Sequence, residues 1–446
     1  MKMTMVTSNG ASVLLMIWIL LAYASVCMSF RESERQREQE PDTRHNPFFF
    51  PQRSLHTRYE KGEGEIRVLG KFAERSELLR GIENYRMGML VANPNTFVLP
   101  HYIDAEAVLV VIKGNGVLTI VREGKRESFE TETGDAIRVP AGSTIYWINK
   151  DSNEELRLAS LFQPINSPDQ HTEFFPTGGE NPESVYSGFS SEILEAALQA
   201  PREEIKRIFG NQRDGVIIRA NPVQIQTMTR KVSSKHKDES KWTINVLNQK
   251  PVHSNNFGQF FEVCADKFKQ FKDMDVSIAF SNITQGGMMV PYFNTKATKL
   301  IMVIDGSGYY EMVIPNIESQ RQGQRMEEGG RNNGLQTVRS NLSPGDVFIM
   351  PAGHPMTIVA SQNENLQLMS FGVHATNNER VFLVGKENII NQLDREAIEL
   401  AFGIPAREVE QVFSNSNETY FMAGPQRGGQ QRGEEELATL LDLVSV

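Results

Sequence analysis

Side chains able to do chemistry are few and widely spaced in this chain, which holds 8 histidines and 2 cysteines in 446 residues. Asp104 and Glu106 offer paired carboxylates for acid and base work. They occupy the turn before a strand, where acidic side chains are ordinarily solvated. Cys264 follows the strand-like segment 260–263, and a lone thiol there reads as a small buried hydrophobe rather than a nucleophile. No nucleophile, histidine and acid form a recognisable triad. The basic stretch from Arg230 to Lys241 could face anionic lipid, but it interleaves Asp238 and Glu239 and lacks an aromatic neighbour until Trp242, as a linker does.

The elements that must position these groups are organised around a nonapeptide written twice, GDAIRVPAG from Gly134 to Gly142 and GDVFIMPAG from Gly345 to Gly353. Each copy is a Gly-Asp turn, a short apolar strand and a Pro-Ala-Gly turn. One strand cannot bury its apolar face alone, so each copy implies a multi-stranded sheet or barrel around it. Further short strands are predicted over 85–91, 96–100, 107–112, 117–121, 136–140, 144–148 and 156–162, and after the linker over 243–247, 260–263 and 277–283. Ile112-Lys113-Gly114-Asn115-Gly116 recurs as Ile304-Asp305-Gly306-Ser307-Gly308. The nonapeptides lie further apart than these glycine motifs, and the excess is the polar insertion SQRQGQRMEEGGRNNG at 319–334.

After each barrel the apolar period changes to that of helices. Ser190 caps a predicted helix through Ala200, Pro201 opens a second, and Gly210 lies just past its end. Glu195, Ala197, Pro201, Glu204 and Phe209 recur as Glu399, Ala401, Pro405, Glu408 and Phe413. One unit of barrel plus helical hairpin is duplicated.

Composition narrows the partners. With 46 basic against 55 acidic residues the net charge is −9, which disfavours nucleic acid. Residues 1–29 read as a secretory signal: Lys2, then an apolar run too short to span a bilayer, then small residues near Ala24. The mature form is expected in the secretory pathway with no membrane contact. Depending on where the signal is cut, Cys27 stays or leaves, and neither case supports a disulfide framework. The expected organisation is a signal at 1–29, a disordered polar arm at 30–46, a barrel with hairpin at 47–220, a linker at 221–242, and a second barrel with hairpin at 243–423. A polar tail at 424–446 ends in the apolar LATLLDLVSV.

The repeated Gly, five residues, Pro, any residue, Gly resembles the second signature of the cupin superfamily. PHYIDAEAVLVVIKGNG, GDAIRVPAGSTIYWIN, PYFNTKATKLIMVIDGSG and GDVFIMPAGHP, with the helix repeat and the signal, resemble vicilin-like 7S seed storage globulins over roughly residues 45–425. The resemblance implies a mainly β fold of two tandem cupin (jelly-roll) barrels, each followed by a short helical hairpin. It also implies a homotrimer held in protein storage vacuoles as a nutrient reservoir, with processing and germination proteases as its other partners.

Two other readings stand beside storage: a metal-dependent cupin enzyme of the germin or oxidase type, and a sugar-binding vicilin-like cupin. Enzymatic cupins resembling this chain hold Mn, Fe or Cu with two histidines and a glutamate from the first signature and a histidine from the second. His101 stands at the first of these positions, but Ile103, Ala107 and Ile145 follow it. In the second barrel the four positions carry Tyr292, Asn294, Lys299 and Met356. A divalent ion needs several convergent lone-pair donors, so no cofactor and no catalytic residue are expected, and His101 reads as a structural or surface imidazole. Some relatives resemble metal binders elsewhere, which makes His354, His374 and Tyr59 candidates for a surface site.

The secretory route makes three sequons available, at Asn417, Asn341 and Asn282, with Asn417 preferred because it follows the last helix in a polar stretch. The expected trimer contact is the apolar stripe of each hairpin: Ile193, Leu194, Ala197, Leu198, Ile205, Ile208 and Phe209 in the first, and Ile398, Ala401, Phe402, Val409, Val412 and Phe413 in the second. Arginine and glutamine, the nitrogen-rich side chains, crowd into the three polar tracts, where low apolar content leaves the backbone open to proteases.

Overall fold

The structure, a computed structural model, describes residues 46–230, 232, 242–264, 266–315 and 334–425. The expected signal, nearly all of the polar arm and the 319–334 insertion, most of 231–241 and the tail from 426 onward lie outside the described residues.

Each repeat folds as two antiparallel sheets packed face to face. In the first, a seven-stranded sheet runs in the order Thr243–Asn245, Asp135–Val139, Ala105–Lys113, Leu156–Pro164, Arg86–Ala92, Gly64–Leu69, Leu55–Lys61. Facing it are Glu173–Phe174, Thr96–Ile103, Thr144–Asn149, Asn115–Arg122 and Lys125–Glu132, with Ile217–Arg219 also paired to Thr96–Ile103. The second repeat follows the same plan. Its seven-stranded sheet runs Phe49–Phe50, Val347–Met350, Thr298–Asp305, Leu366–Val373, Val276–Ile283, Gly258–Val263, His253–Asn255, and it is faced by a sheet built on Gly287–Asn294, Met356–Ala360 and Gly308–Pro315.

The nonapeptide strands are Asp135–Val139 and Val347–Met350, one place in from the edge of each larger sheet. The glycines of the other repeated motif are there for space and conformation. Gly114 and Gly306 both sit at φ +81°, and a Cβ on either would collide with a facing carbonyl oxygen, of Glu155 or Asn365.

The edge strands depart from the order of the sequence. Thr243–Asn245, expected to open the second barrel, pairs instead with Asp135–Val139 of the first. Phe49–Phe50, at the start of the first repeat, pairs with Val347–Met350 of the second. Each barrel therefore lends the other its outermost strand. Alternation of apolar residues identifies a strand and its inward face, but it does not name the neighbouring strand. The first barrel keeps its own interior, with Leu99, Leu109, Leu118 and Trp147, while the opposite face of its larger sheet, with Leu69, Met87 and Val110, joins Phe48–Phe50, Phe348 and Phe371 in one buried apolar cluster.

The segment 221–242, expected as linker, begins as a helix over Pro222–Thr229. Asn221 accepts from Gln224 N at 2.9 Å while the Gln224 side chain accepts from Asn221 N at 3.1 Å, a reciprocal capping box with proline in the first turn. The hairpins form over Ser191–Leu198 and Arg202–Phe209, and over Arg395–Phe402 and Ala406–Phe413. The first helix stops two residues before Ala200 because Gln199 turns left-handed at φ +50°. Among the described residues no helix is long and apolar enough to cross a membrane.

Candidate functional site

The interior of each barrel is where enzymatic relatives would keep a metal. In the first, His101 lies on Thr96–Ile103 and pairs across the sheet with Ile145. His101, Ile103, Ala107 and Ile145 are all buried, so the positions converge as the spacing suggests. The donors do not. Three of the four side chains are hydrocarbon, and the His101 Nδ1 is already 2.8 Å from the Leu99 carbonyl oxygen, its ring tilted against Phe175. The imidazole is a packed structural group, and the residues present do not fit a divalent metal.

In the second barrel Tyr292 pairs with Met356 across the sheet. Asn294 is fully buried, its amide donating to the Met350 sulfur at 3.5 Å and accepting from Asn378 at 3.1 Å. Lys299 stands at the glutamate position on the apolar strand Thr298–Asp305. It is not alone. Lys299 Nζ is 2.7 Å from Glu262 Oε1 and donates to Ser277 Oγ at 3.0 Å. Arg380 reaches the other oxygen of Glu262 at 3.3 Å and donates to the Tyr420 hydroxyl at 3.1 Å. Its guanidinium lies 4.4 Å from the centre of the Phe260 ring, a desolvated cation–π contact.

This buried triad is the principal feature that the residue-by-residue reading missed. Burial alone would raise the Glu262 carboxyl, but Lys299 and Arg380 outweigh it and hold the group at about 2. Burial pushes the Tyr292 phenol up to about 12, against the opposing pull of Arg380. Burial also works against the charge on Arg380, yet Glu262 and the two tyrosines keep it above its ordinary value. Two cations face one carboxylate, so the interior carries one excess positive charge. Arg380 Nε is buried without a hydrogen-bond partner. Beside it a cavity of about 20 Å³ is lined by Tyr292, Lys299, Ser281, Ser370 and Arg380 among others, room for about one water-sized occupant. A lysine inside an apolar strand was the available signal; its partners lie on strands far away in sequence.

The remaining candidates disperse. Tyr59 packs edge-on to Phe175, His354 lies against Phe48, and His374 lies edge-on to Tyr85. Among the described residues no group of three or more His, Cys, Asp or Glu gathers as a metal site. Cys264 is half-buried, and burial followed by the nearby Glu262 raises its thiol, the opposite of an activated nucleophile. Asp104 and Glu106 are engaged rather than simply solvated. Glu106 pairs with Arg138 at 3.0 Å, and Asp104 accepts from Thr172 N at 2.6 Å.

The hairpin stripes divide. Leu194, Ile205, Ile398 and Val409 are buried within their own protomer, so they form the hairpins' internal contacts rather than a surface for a partner. Phe209 stacks on Tyr186 at 4.5 Å, and Phe413 leans on Phe402 at 6.4 Å. Ile193, Ala197, Leu198, Ile208, Ala401, Phe402 and Val412 stand exposed. Of the sequons, Asn417 lies exposed beyond the second hairpin and Asn341 exposed on the edge strand Leu335–Leu342. Asn282 is half-buried inside Val276–Ile283, between Gln259 and Gln367, with its Oδ1 buried and unpartnered.

Two stacked β-sandwiches with the repeated glycine and Pro-Ala-Gly turns define a two-domain cupin, and the chain matches the family described as "Cupin" over residues 81–206 and 244–410. Within it, the chain belongs to the vicilins. It is 43% identical to the vicilin Jug r 6.0101 of Juglans regia over 91% of this chain and 82% of that protein. It is equally 43% identical to the vicilin-like antimicrobial peptides 2-1 of Macadamia integrifolia over 92% of this chain, but spans only 64% of that protein's length. Among solved structures, a vicilin of Solanum melongena, described as revealing different anionic ligands in structurally similar pockets, superposes with TM-score 0.81 at 37% identity, over 86% of this chain and 100% of that one.

Proposed function

We propose that this protein is a seed storage globulin, a non-enzymatic nutrient reservoir delivered through the secretory pathway to protein storage vacuoles. The observation that carries the reading is the donor set of the two barrels. His101 is the one histidine among eight positions, and the rest are hydrocarbon, amide, phenol, thioether or a lysine tied to Glu262. A barrel that keeps the fold but not the ligands supplies an inert, compact core. The family of vicilin relatives supports the same reading, and the antimicrobial name of the Macadamia relative describes that protein. Following its abundance through seed filling and germination tests this. A reservoir accumulates and then disappears by proteolysis, and a level that persists through seedling growth would overturn it.

The protomer is proposed to assemble as a homotrimer through its hairpins. Exposed apolar side chains on both hairpins, Ile193, Leu198 and Ile208 on one and Phe402 and Val412 on the other, form patches of the kind that mark an interface. A hairpin at each repeat lets neighbours meet head to tail and close a ring. Glycosylation is proposed at Asn417 first and Asn341 second.

A second reading concerns the triad. The excess positive charge and the unpartnered Arg380 Nε favour a single small anion of about the size of chloride in the second barrel; the Solanum melongena vicilin is described as holding anionic ligands in structurally similar pockets. Calorimetric titration with chloride tests it. Binding that is lost in Lys299→Met supports the site, and binding unchanged in that variant rules it out.

A further inference from the structure

The loop at 165–172, between Leu156–Pro164 and Glu173–Phe174, is exposed along most of its length but ends on a buried histidine, His171. The imidazole is stacked on Phe162 with ring centres 4.4 Å apart. Arg58, from Leu55–Lys61, closes over it from the solvent side: Nη1 lies 3.3 Å from His171 Nε2, and Nη2 donates to the His171 carbonyl oxygen at 3.4 Å. A guanidinium has donors and no acceptor, so Nε2 must be the unprotonated, accepting nitrogen and the proton must sit on Nδ1. Nδ1 is buried and has no hydrogen-bond partner.

We propose that the Arg58–His171 contact is an acid-released latch, which holds the 165–172 loop against the first barrel at neutral pH and lets it open as the surroundings acidify. The inference does not depend on the storage reading. Closed, the loop requires a neutral imidazole. Once the loop lifts away, the same imidazole meets water and takes a proton freely.

The groups around His171 set the balance. Arg58 faces it from one strand, and Arg86, whose Nη1 is also buried without a partner, from another. Asp104 faces it from the turn that holds Thr172. Glu173 Oε1 stands 3.9 Å from Nε2, and Lys71 pairs with Asp169 of the loop at 3.0 Å. Burial first, then Arg58 and Arg86, depress the imidazole to about 4, with Asp104 opposing them. An open loop returns His171 to about 6.5. The open form therefore binds a proton that the closed form refuses throughout this interval, and the open population rises about tenfold for each pH unit lost between 6.5 and 4. Above 6.5 the latch is insensitive to pH, and below 4 the closed form is protonated too.

Amide hydrogen exchange of 165–172, corrected for intrinsic rates, reads this directly in the full-length protein and its His171→Gln variant. Wild type should open about tenfold more per pH unit across the interval. His171→Gln, which keeps an acceptor facing Arg58 but cannot titrate, should remain flat. Carboxylates in general are about half protonated near 4, and a variant as steep as wild type would assign the effect to them and overturn the latch. A flat wild-type profile would do the same. If the variant does not fold, exchange at the histidine ring carbon of wild type measures the same titration. His171 is expected to titrate near 4, and a midpoint near 6.5 refutes the proposal.

Discussion

Arg138 of the first barrel lies 2.7 Å from Asp273 of the second, while its other edge holds Glu106 of its own barrel at 3.0 Å. The same guanidinium donates to the Gln270 carbonyl and side-chain oxygens at 3.2 Å. One half-buried fork thus joins the barrels beside the exchanged strands. Arg138→Ala removes it and leaves Glu106 facing an apolar stub. The expected cost is about 1–2 kcal/mol in urea unfolding, moderate because Asp273 stays solvated. A stability unchanged within error would show that the strand exchange alone holds the barrels.

The triad is asymmetric, and two substitutions should separate its members. Glu262→Gln leaves Lys299 and Arg380 buried without a counter-charge and should cost about 3–5 kcal/mol. Lys299→Met leaves Glu262 paired with Arg380, neutral as a unit, and should cost clearly less. Equal losses in thermal or chaotrope unfolding would refute this account of the charge balance.

Acid should act on the same carboxylate. Its folded value of about 2 lies below the ordinary 4.5, so its contribution is fully present above pH 4.5 and lost as pH falls towards 2. The linkage is worth about 3 kcal/mol. In unfolding curves taken from pH 5 down to 2.5, Glu262→Gln should therefore lose less stability than wild type. Parallel curves would falsify the assignment.

Metal removal should have no effect. Elemental analysis is expected to find no stoichiometric transition metal, and the melting temperature should be the same with and without a chelator. A metal at one equivalent per barrel would require donors other than those at the cupin positions.

For the trimer, the exposed residues are the informative targets. Ile208→Lys with Val412→Lys replaces side chains 56% and 66% exposed, leaving the hairpins' buried contacts intact. Sedimentation should then show protomer mass with the helical circular dichroism retained. A double variant that still runs as a trimer would move the interface elsewhere.

Glycopeptide mapping should find carbohydrate on Asn417 and Asn341 and none on Asn282. Asn282 sits within a sheet with strands on both sides, where a glycan has no room. Occupancy at Asn282 would mean that this strand is glycosylated before it pairs.

Residue identity and local spacing set what each position can donate and which way each segment faces. The duplicated turns are local chemistry, set by glycine's freedom at positive φ and by proline's lost donor, so two barrels with hairpins were legible from Gly114, Gly142, Gly306 and Gly353 and their neighbours. The poverty of ligands was equally legible, because Ile103, Ala107 and Ile145 are hydrocarbon in any fold. Partnership was decided only by the tertiary structure. A period of two tells that Thr243–Asn245 is a strand but not that Asp135–Val139 lies beside it, and a period of 3.6 gives a helix one stripe without dividing it between Leu194, buried, and Ile193, exposed. That Lys299 meets Glu262, that Arg380 shares the same carboxylate, and that Arg58 closes over His171 depends on strands brought together across more than a hundred residues of chain in two of these three pairs. Such contacts follow from packing and sheet order, which no local pattern encodes.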